Sequence, residues 1–262
     1  MNKTMKFKVT KYEGEYKQLI DESAVCEYPL NIFLNGRYLT TLLCTPEKIK
    51  ELTVGFLAFR GIITDFDQIK SIEVDSKNGI SKVVLKDGSF DSSLHSKQML
   101  YHNFNGCRQG EIFSHIMDSM GIDKIKGDNI HIDSGKIYEL MKKSLSYSEA
   151  FKITGGVQCA VLCDENDVIF ICEDVARHNA LDKLTGESLI KKISLRDKML
   201  FVSSRVSFEM MLKIARLGVP IVASKSAPTD LSIKFAEELN LTLLGFVRGR
   251  RMNIYTNPQR IK

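Results

Sequence analysis

The sequence predicts an α/β protein, with a layered α/β domain in its second half and a smaller mixed α+β part ahead of it. Three observations carry this. From about residue 156 onward, short apolar runs of strand length alternate with single stretches of helical spacing. Those helices bring their own start and stop residues. The first third instead shows a hairpin signal followed by one helix. Strands separated by single helices pair in parallel through right-handed crossovers.

Taken in order, residues 29–34 and 38–43 flank Asn35-Gly36, a dipeptide suited to a two-residue hairpin turn. Thr45-Pro46-Glu47 then reads as an N-cap, a first-turn proline and an acidic residue favoured by the helix dipole. Ile49, Leu52, Phe56 and Phe59 follow at helical spacing, with Gly61 as a stop. Residues 72–74 and 82–85 read as strands. Between about residues 94 and 110 the pattern fades into a long mobile loop that ends at Gly106-Cys107-Arg108-Gln109-Gly110.

In the second half, residues 156–163 and 168–173 read as strands joined by a turn at Asp164-Glu165-Asn166-Asp167. A helix is expected over 177–193, a buried strand over 198–203, and a helix capped by Ser207 and closed by Gly218. Residues 219–224 form the next strand, Thr229 caps another helix, and 241–247 is the last strand. The division expected is 1–127 for the N-terminal part and 128–262 for the C-terminal domain.

The chain has 262 residues and a formal net charge of +5, which suits an anionic ligand without demanding one. No Lys/Arg block supports nucleic-acid binding. Neither a secretory leader nor a run of about 18 apolar residues is present, so the reading is a cytoplasmic protein with no membrane contact. The six cysteines lie at irregular spacings with no C-x-x-C, which suggests neither a disulfide framework nor a zinc site. Most of these thiols are expected to be reduced and buried.

Ligands of open α/β sheets bind beyond the carboxyl ends of the strands. Three such ends here are polar and basic: Ser203-Ser204-Arg205, Ser224-Lys225-Ser226 and Arg248-Gly249-Arg250-Arg251. Hydroxyls, cations and glycine-exposed N–H groups are what a pyrophosphate needs. Thr154-Gly155-Gly156 would let backbone approach a ligand, and Asp174, Arg177 and His178 crowd the start of a helix. Cys107 differs from the other cysteines because it sits in a polar, glycine-flanked stretch beside Arg108, a setting that favours the reactive thiolate.

Five blocks then resemble the signatures of the FdhD family: Thr154-Gly155-Gly156-Val157; Glu173-Asp174-Val175-Ala176-Arg177-His178-Asn179-Ala180-Leu181-Asp182-Lys183; Ser203-Ser204-Arg205-Val206-Ser207-Phe208-Glu209-Met210; Ser224-Lys225-Ser226-Ala227-Pro228-Thr229; and the stretch from Gly245 to Tyr255. Glu51-Leu52-Thr53-Val54-Gly55-Phe56-Leu57 is similar to the family's early helix. The resemblance implies a C-terminal cytidine-deaminase-like three-layer domain with a smaller mixed α+β N-terminal part. It implies sulfurtransferase-type activity: a persulfide taken from a cysteine desulfurase onto Cys107 and passed to the Mo-bis(molybdopterin guanine dinucleotide) cofactor of formate dehydrogenase. The molybdenum cofactor is then cargo, and no metal of the protein's own is implied. Its binding segment falls on Phe246, Val247, Arg248, Gly249, Arg250 and Arg251. Members often carry a cysteine pair in the loop, whereas Cys107 has no second cysteine beside it. A homodimer stays open. A zinc deaminase is disfavoured because H-x-E and P-C-x-x-C are missing. The alternative is a cofactor-binding chaperone without sulfur transfer.

Overall fold

The computed structural model describes residues 2–87, 109–127 and 130–262. Among these, seven α-helices and twelve strands form three sheets, a mixed α/β architecture. The chain opens with a hairpin, β1 (Thr4–Glu13) and β2 (Tyr16–Val25), which sequence reading left unassigned. Met5, Phe7 and Val9 alternate with Lys6 and Lys8 along β1, but almost every residue of the hairpin is exposed or half-buried, so that alternation marks no buried face.

β3 (Tyr28–Leu34) and β4 (Arg37–Cys44) turn through Asn35 and Gly36, both at positive φ, as a tight hairpin turn requires. With β5 (Ile69–Asp75) and β6 (Ile80–Leu85) they make a four-stranded sheet of order β4-β3-β6-β5. Helix α1 (Ile49–Phe59) covers it, and Leu30, Ile32, Leu52, Leu57 and Val83 fill the space between. Thr45 is not the helix cap. The N-cap is Lys48, in the left-handed region, and the Thr45 hydroxyl points instead at Asp174 and Lys183. A buried carboxylate competes more strongly for that hydroxyl than the first turn of a helix does.

Sequence reading assigned no helix between residues 110 and 156, where the structure has three. Helix α2 (Gln109–Met120) begins where the loop was expected to end, and the rest of that expected loop lies outside the described residues. Helix α3 (Ser134–Ser146) is capped by Asp133, and α4 (Glu149–Thr154) by Ser148. The six-stranded sheet follows: β7 (Gln158–Cys163), β8 (Val168–Asp174), β9 (Met199–Val202), β10 (Ile221–Ser224), β11 (Thr242–Arg248) and β12 (Arg251–Thr256), in the order β12-β11-β10-β9-β7-β8.

β9, β10 and β11 are parallel and linked through α6 (Phe208–Leu217) and α7 (Asp230–Glu238). Both helices pack on one face, as right-handed connections advancing in one direction demand. The expectation of parallel pairing stops there. β7 runs antiparallel to both neighbours, and β12 folds back antiparallel on β11. β11 is therefore not the last strand. β12 escaped notice because it buries only Thr256 fully, as an edge strand does.

The sheet is the middle of three layers. Ala160, Leu162, Leu200, Val202 and Val222 pack beneath α2, α5 (Arg177–Ile190), α6 and α7. Cys159, Val161, Phe201, Ile221 and Leu244 face the other way, onto Ile137, Leu140 and Met141 of α3. Every residue of β9 and β10 is buried, as central strands covered on both faces must be. Phe113 of α2 stacks within 5.2 Å of Phe235 and 6.0 Å of Phe208, so the segment ahead of residue 128 supplies a helix to this core.

The two parts join where α1 crosses α5. The helices meet backbone to backbone. A Cβ on Gly55 would lie 1.8 Å from the Asp182 carbonyl oxygen, and one on Gly186 would lie 1.9 Å from that of Glu51. Arg216 Nη1 reaches across to the last carbonyls of α1, at Ala58 (3.1 Å) and Phe59. Lys48 bonds the Ile171 carbonyl (2.8 Å) and the Glu187 carboxylate from the same junction.

Candidate functional site

The sheet's topology gathers the polar strand ends. β8, β9, β10 and β11 point the same way, because β7 is antiparallel to both β8 and β9. Their carboxyl ends, and the start of β7, therefore lie along one edge. That edge carries Asp174, Arg177 and His178 after β8, Ser203 to Arg205 after β9, Ser224 to Ser226 after β10, and the β11–β12 turn.

Side-chain bonds tie these ends together. The Cys159 N–H donates to Ser203 Oγ (2.9 Å), which itself donates to Gln158 Oε1 (3.2 Å). Ser224 Oγ donates to the Ser204 carbonyl (2.7 Å) and accepts from the Ser226 N–H (2.9 Å). Arg248 Nε donates to the Lys225 carbonyl at 2.9 Å, and the Phe246 N–H to that of Ser226 at 3.0 Å. The turns after β10 and β11 are thus one bonded unit.

Its backbone is irregular by construction. The β11–β12 register shifts between Gly245 and Arg248, and Phe246 sits at φ 53°, a left-handed conformation that a bulky residue rarely takes. The neighbouring Gly245 has no room for a side chain, since a Cβ there would meet Tyr255 at 2.8 Å and Pro228 at 3.0 Å. The bulge leaves Val247 buried while Arg248, Gly249, Arg250 and Arg251 stand exposed. Arg205 is exposed on the same edge, and Lys225 lies half-buried with its ammonium 5.3 Å over the Phe151 ring. Several cations and a glycine-exposed backbone on one rim can bind a multiply charged anion.

At the α5 end of the rim, His178 Nε2 lies 3.7 Å from Glu209 Oε2. Burial, with help from Lys213 and Arg177, holds its pKa below the ordinary histidine range despite Glu209. Asp174 does not cap α5 from the N-cap position, which is Ala176, but its Oδ1 accepts the Ala176 N–H (3.0 Å). Thr154-Gly155-Gly156 closes α4: Gly155 is its left-handed cap, and Gly156 abuts Val25 of β2.

Beneath the rim lies a network that sequence reasoning missed. Asp174 and Lys183 are fully buried and 2.6 Å apart. Asp174 also accepts from the Thr45 N–H and hydroxyl and from Asn179 Nδ2, which bonds the Leu43 carbonyl too. A second pair, Asp182 with Lys213 at 2.5 Å, borders a cleft of about 420 Å³ between α1, α5 and α6. Burial raises the Asp182 pKa, and Lys213 pulls it back. The signal was a row of charged residues at buried helical positions, but a sequence does not show where their partners lie.

Of the thiols, Cys44, Cys159, Cys163 and Cys172 are buried and Cys26 is half-buried. Burial pushes Cys159 up to about 11, and Cys44, Cys163 and Cys172 to about 12, so these four stay protonated. Cys107 lies outside the described residues, between Asp87 and Gln109.

The model of the FdhD/NarQ family matches residues 25–262. The chain belongs to the FdhD/NarQ family. Within FdhD/NarQ it is 43% identical to the sulfur carrier protein FdhD of Bacillus pumilus over 250 residues, covering 95% of this chain and 94% of that one. It is 40% identical to the protein of the same name from Bacillus subtilis (97% and 96% covered) and 37% to that from Listeria monocytogenes (97% of each). A crystal structure from Desulfotalea psychrophila, provisionally described as a formate dehydrogenase accessory protein, superposes over 100% of both chains with a TM-score of 0.81 at 24% identity. That likeness shows the fold. The layered FdhD/NarQ architecture expected from the sequence is the one observed.

Proposed function

We propose that this protein is a cytoplasmic sulfur carrier serving formate dehydrogenase. It takes sulfane sulfur from the persulfide of a cysteine desulfurase onto Cys107 and passes it to the Mo-bis(molybdopterin guanine dinucleotide) cofactor. The observation that carries this reading is the convergence of Arg205, Lys225, Arg248, Arg250 and Arg251 on the carboxyl edge of one sheet. A cofactor with two guanine dinucleotide arms presents pyrophosphates, and guanidinium forks match their oxygens in pairs. Phe246 to Arg251 would hold one such arm, with Arg205 and Lys225 beside it. The names of the relatives support sulfur carriage and a formate dehydrogenase client.

In the loading step the Cys107 thiolate attacks the outer sulfur of the desulfurase persulfide. The S–S bond breaks, the desulfurase leaves as thiolate, and Cys107 becomes the persulfide. The four buried thiols do not compete, because they are protonated and inaccessible.

The test is intact mass after incubation with a cysteine desulfurase and cysteine, wild type against Cys107→Ala. A reductant-labile gain of one sulfur atom in the wild type alone is expected. No gain in either protein overturns sulfur carriage and leaves a cofactor-binding chaperone. The rim is tested separately with guanosine diphosphate: Arg250→Ala with Arg251→Ala should weaken binding by about tenfold or more and flatten its salt dependence.

A further inference from the structure

Away from the rim, the cleft of about 420 Å³ between α1, α5 and α6 falls within the roughly 300–1,000 Å³ of small-molecule sites. Helices α5 and α6 both start at the rim and run down to it. Arg177 opens α5 at the rim, and Thr185 meets the cleft about two turns further on, about 12 Å away. On α6 the cleft takes Lys213, Arg216 and Leu217, at the opposite end from the Ser207 cap. Ile193 to Arg196, which also line it, lead into the amino end of β9, whereas the rim lies at the carboxyl end. The two sites are therefore separate.

The walls of the cleft are apolar. Met120, Leu189, Ile193, Leu195 and Leu217 each stay half-buried there, so folding leaves apolar surface that an apolar guest would cover. The Thr185 and Ser188 hydroxyls donate back to the carbonyls of Leu181 and Leu184, at 2.9 Å each, and so spend their protons within α5. Such walls suit a hydrocarbon body better than a sugar or a nucleotide.

The charges suit an anion. Three cations and one carboxylate line the cleft, a net charge of +2. The carboxylate is Asp182, whose two oxygens accept from Lys213 at 2.5 and 2.6 Å, so its charge is already met when an anion arrives. The Lys213 ammonium also stands 4.2 Å from the centre of the Phe59 ring, and Arg216 is pinned on the carbonyls of Ala58, Phe59 and Met120. The third cation, Arg196, is exposed at the mouth, and among the described residues its side chain makes no hydrogen bond or ion pair.

We propose that this cleft binds an amphipathic organic monoanion, with its hydrocarbon body against Leu189, Ile193, Leu195 and Leu217 and its anionic head on Arg196. The field of Lys213 and Arg216 behind the head favours the same sign of charge. The site is independent of the sulfur chemistry and of the rim.

Isothermal titration of the full chain with decanoate should show one site per chain. Decanol, which has the same tail and no charge, should bind more weakly by about fivefold or more. Arg196→Glu, an exposed change that turns attraction into repulsion, should weaken decanoate binding by about fivefold or more and leave guanosine diphosphate binding at the rim unchanged. The sequence has no tryptophan, so Ser194→Trp at the exposed mouth supplies a single reporter. Its emission should shift when decanoate is added, and that of Tyr38→Trp, on β4 outside the cleft, should not. Failure to bind decanoate overturns the proposal. So does decanol bound as tightly as decanoate, wild-type affinity in Arg196→Glu, a silent reporter in Ser194→Trp, or displacement of guanosine diphosphate by decanoate.

Discussion

Asp174 and Lys183 are both fully buried, 2.6 Å apart, beneath the carboxyl edge of the large sheet. Lys183 also donates to Thr45 Oγ1 (2.6 Å) and to the Glu173 carbonyl (3.1 Å), so one ammonium ties the residue after β4 to β8. Burying two charges is costly, and what they give in return is a fixed relation between the two sheets.

Lys183→Met should therefore be destabilising by about 3 kcal/mol, because it leaves the Asp174 carboxylate buried without its counter-charge. The four remaining donors to Asp174 keep the loss near the low end of that class. Urea unfolding of the purified variant reads this directly. A midpoint equal to wild type would refute it.

Gly186→Ala should cost about 3 kcal/mol or more, since its methyl would fall on the Glu51 carbonyl and force α1 and α5 apart. The same substitution at Gly14, where nothing lies within 4 Å, would meet no neighbour but would be strained by its positive φ. Comparison of the two melting temperatures separates a packing clash from backbone strain.

Alkylation of the native protein at pH 7.5 should modify Cys26 and none of Cys44, Cys159, Cys163 or Cys172. Burial keeps those four thiols protonated, with values near 11 to 12, and shields them from the reagent. Peptide mass mapping before and after denaturation should show the four appear together on unfolding.

His178 should titrate below 6.5 in the folded protein, because burial and the neighbouring cations favour the neutral ring. The unfolded chain then binds the proton more readily. The histidine's contribution to stability is full above 6.5 and is lost as pH falls through that value toward the folded pKa. Glu209→Gln should lower the folded value further. Proton NMR of the imidazole measures both.

Phe246→Gly should relieve about 1 kcal/mol of left-handed strain and at the same time weaken guanosine diphosphate binding. A more stable variant with unchanged affinity would remove Phe246 from the binding segment.

The sequence made the parallel core legible because its signals are local. Ser207 and Gly218 do bracket α6, Asn35-Gly36 does turn β3 into β4, and the apolar runs of β9 and β10 are buried throughout. What escaped it was set at a distance. β1 and β2 bury no face, β12 lies at a sheet edge, and Thr45 looks like a helix cap until Asp174, far along the chain, claims its hydroxyl. The polar strand ends were readable one by one. Their bonding into a unit, as between Arg248 and Lys225, follows from strand order, which no single segment encodes.

The crossing of α1 and α5 also limits how the molecule can change over generations. Where main chain rests on main chain, Gly55 and Gly186 leave no side chain whose size can be traded against a neighbour's. A shift of either helix by one residue would replace a glycine with a larger group, so the two sheets are keyed together in a single notch. Variation in this protein should collect on the exposed faces of the strands, and the angle between its two sheets should be the slowest feature to drift.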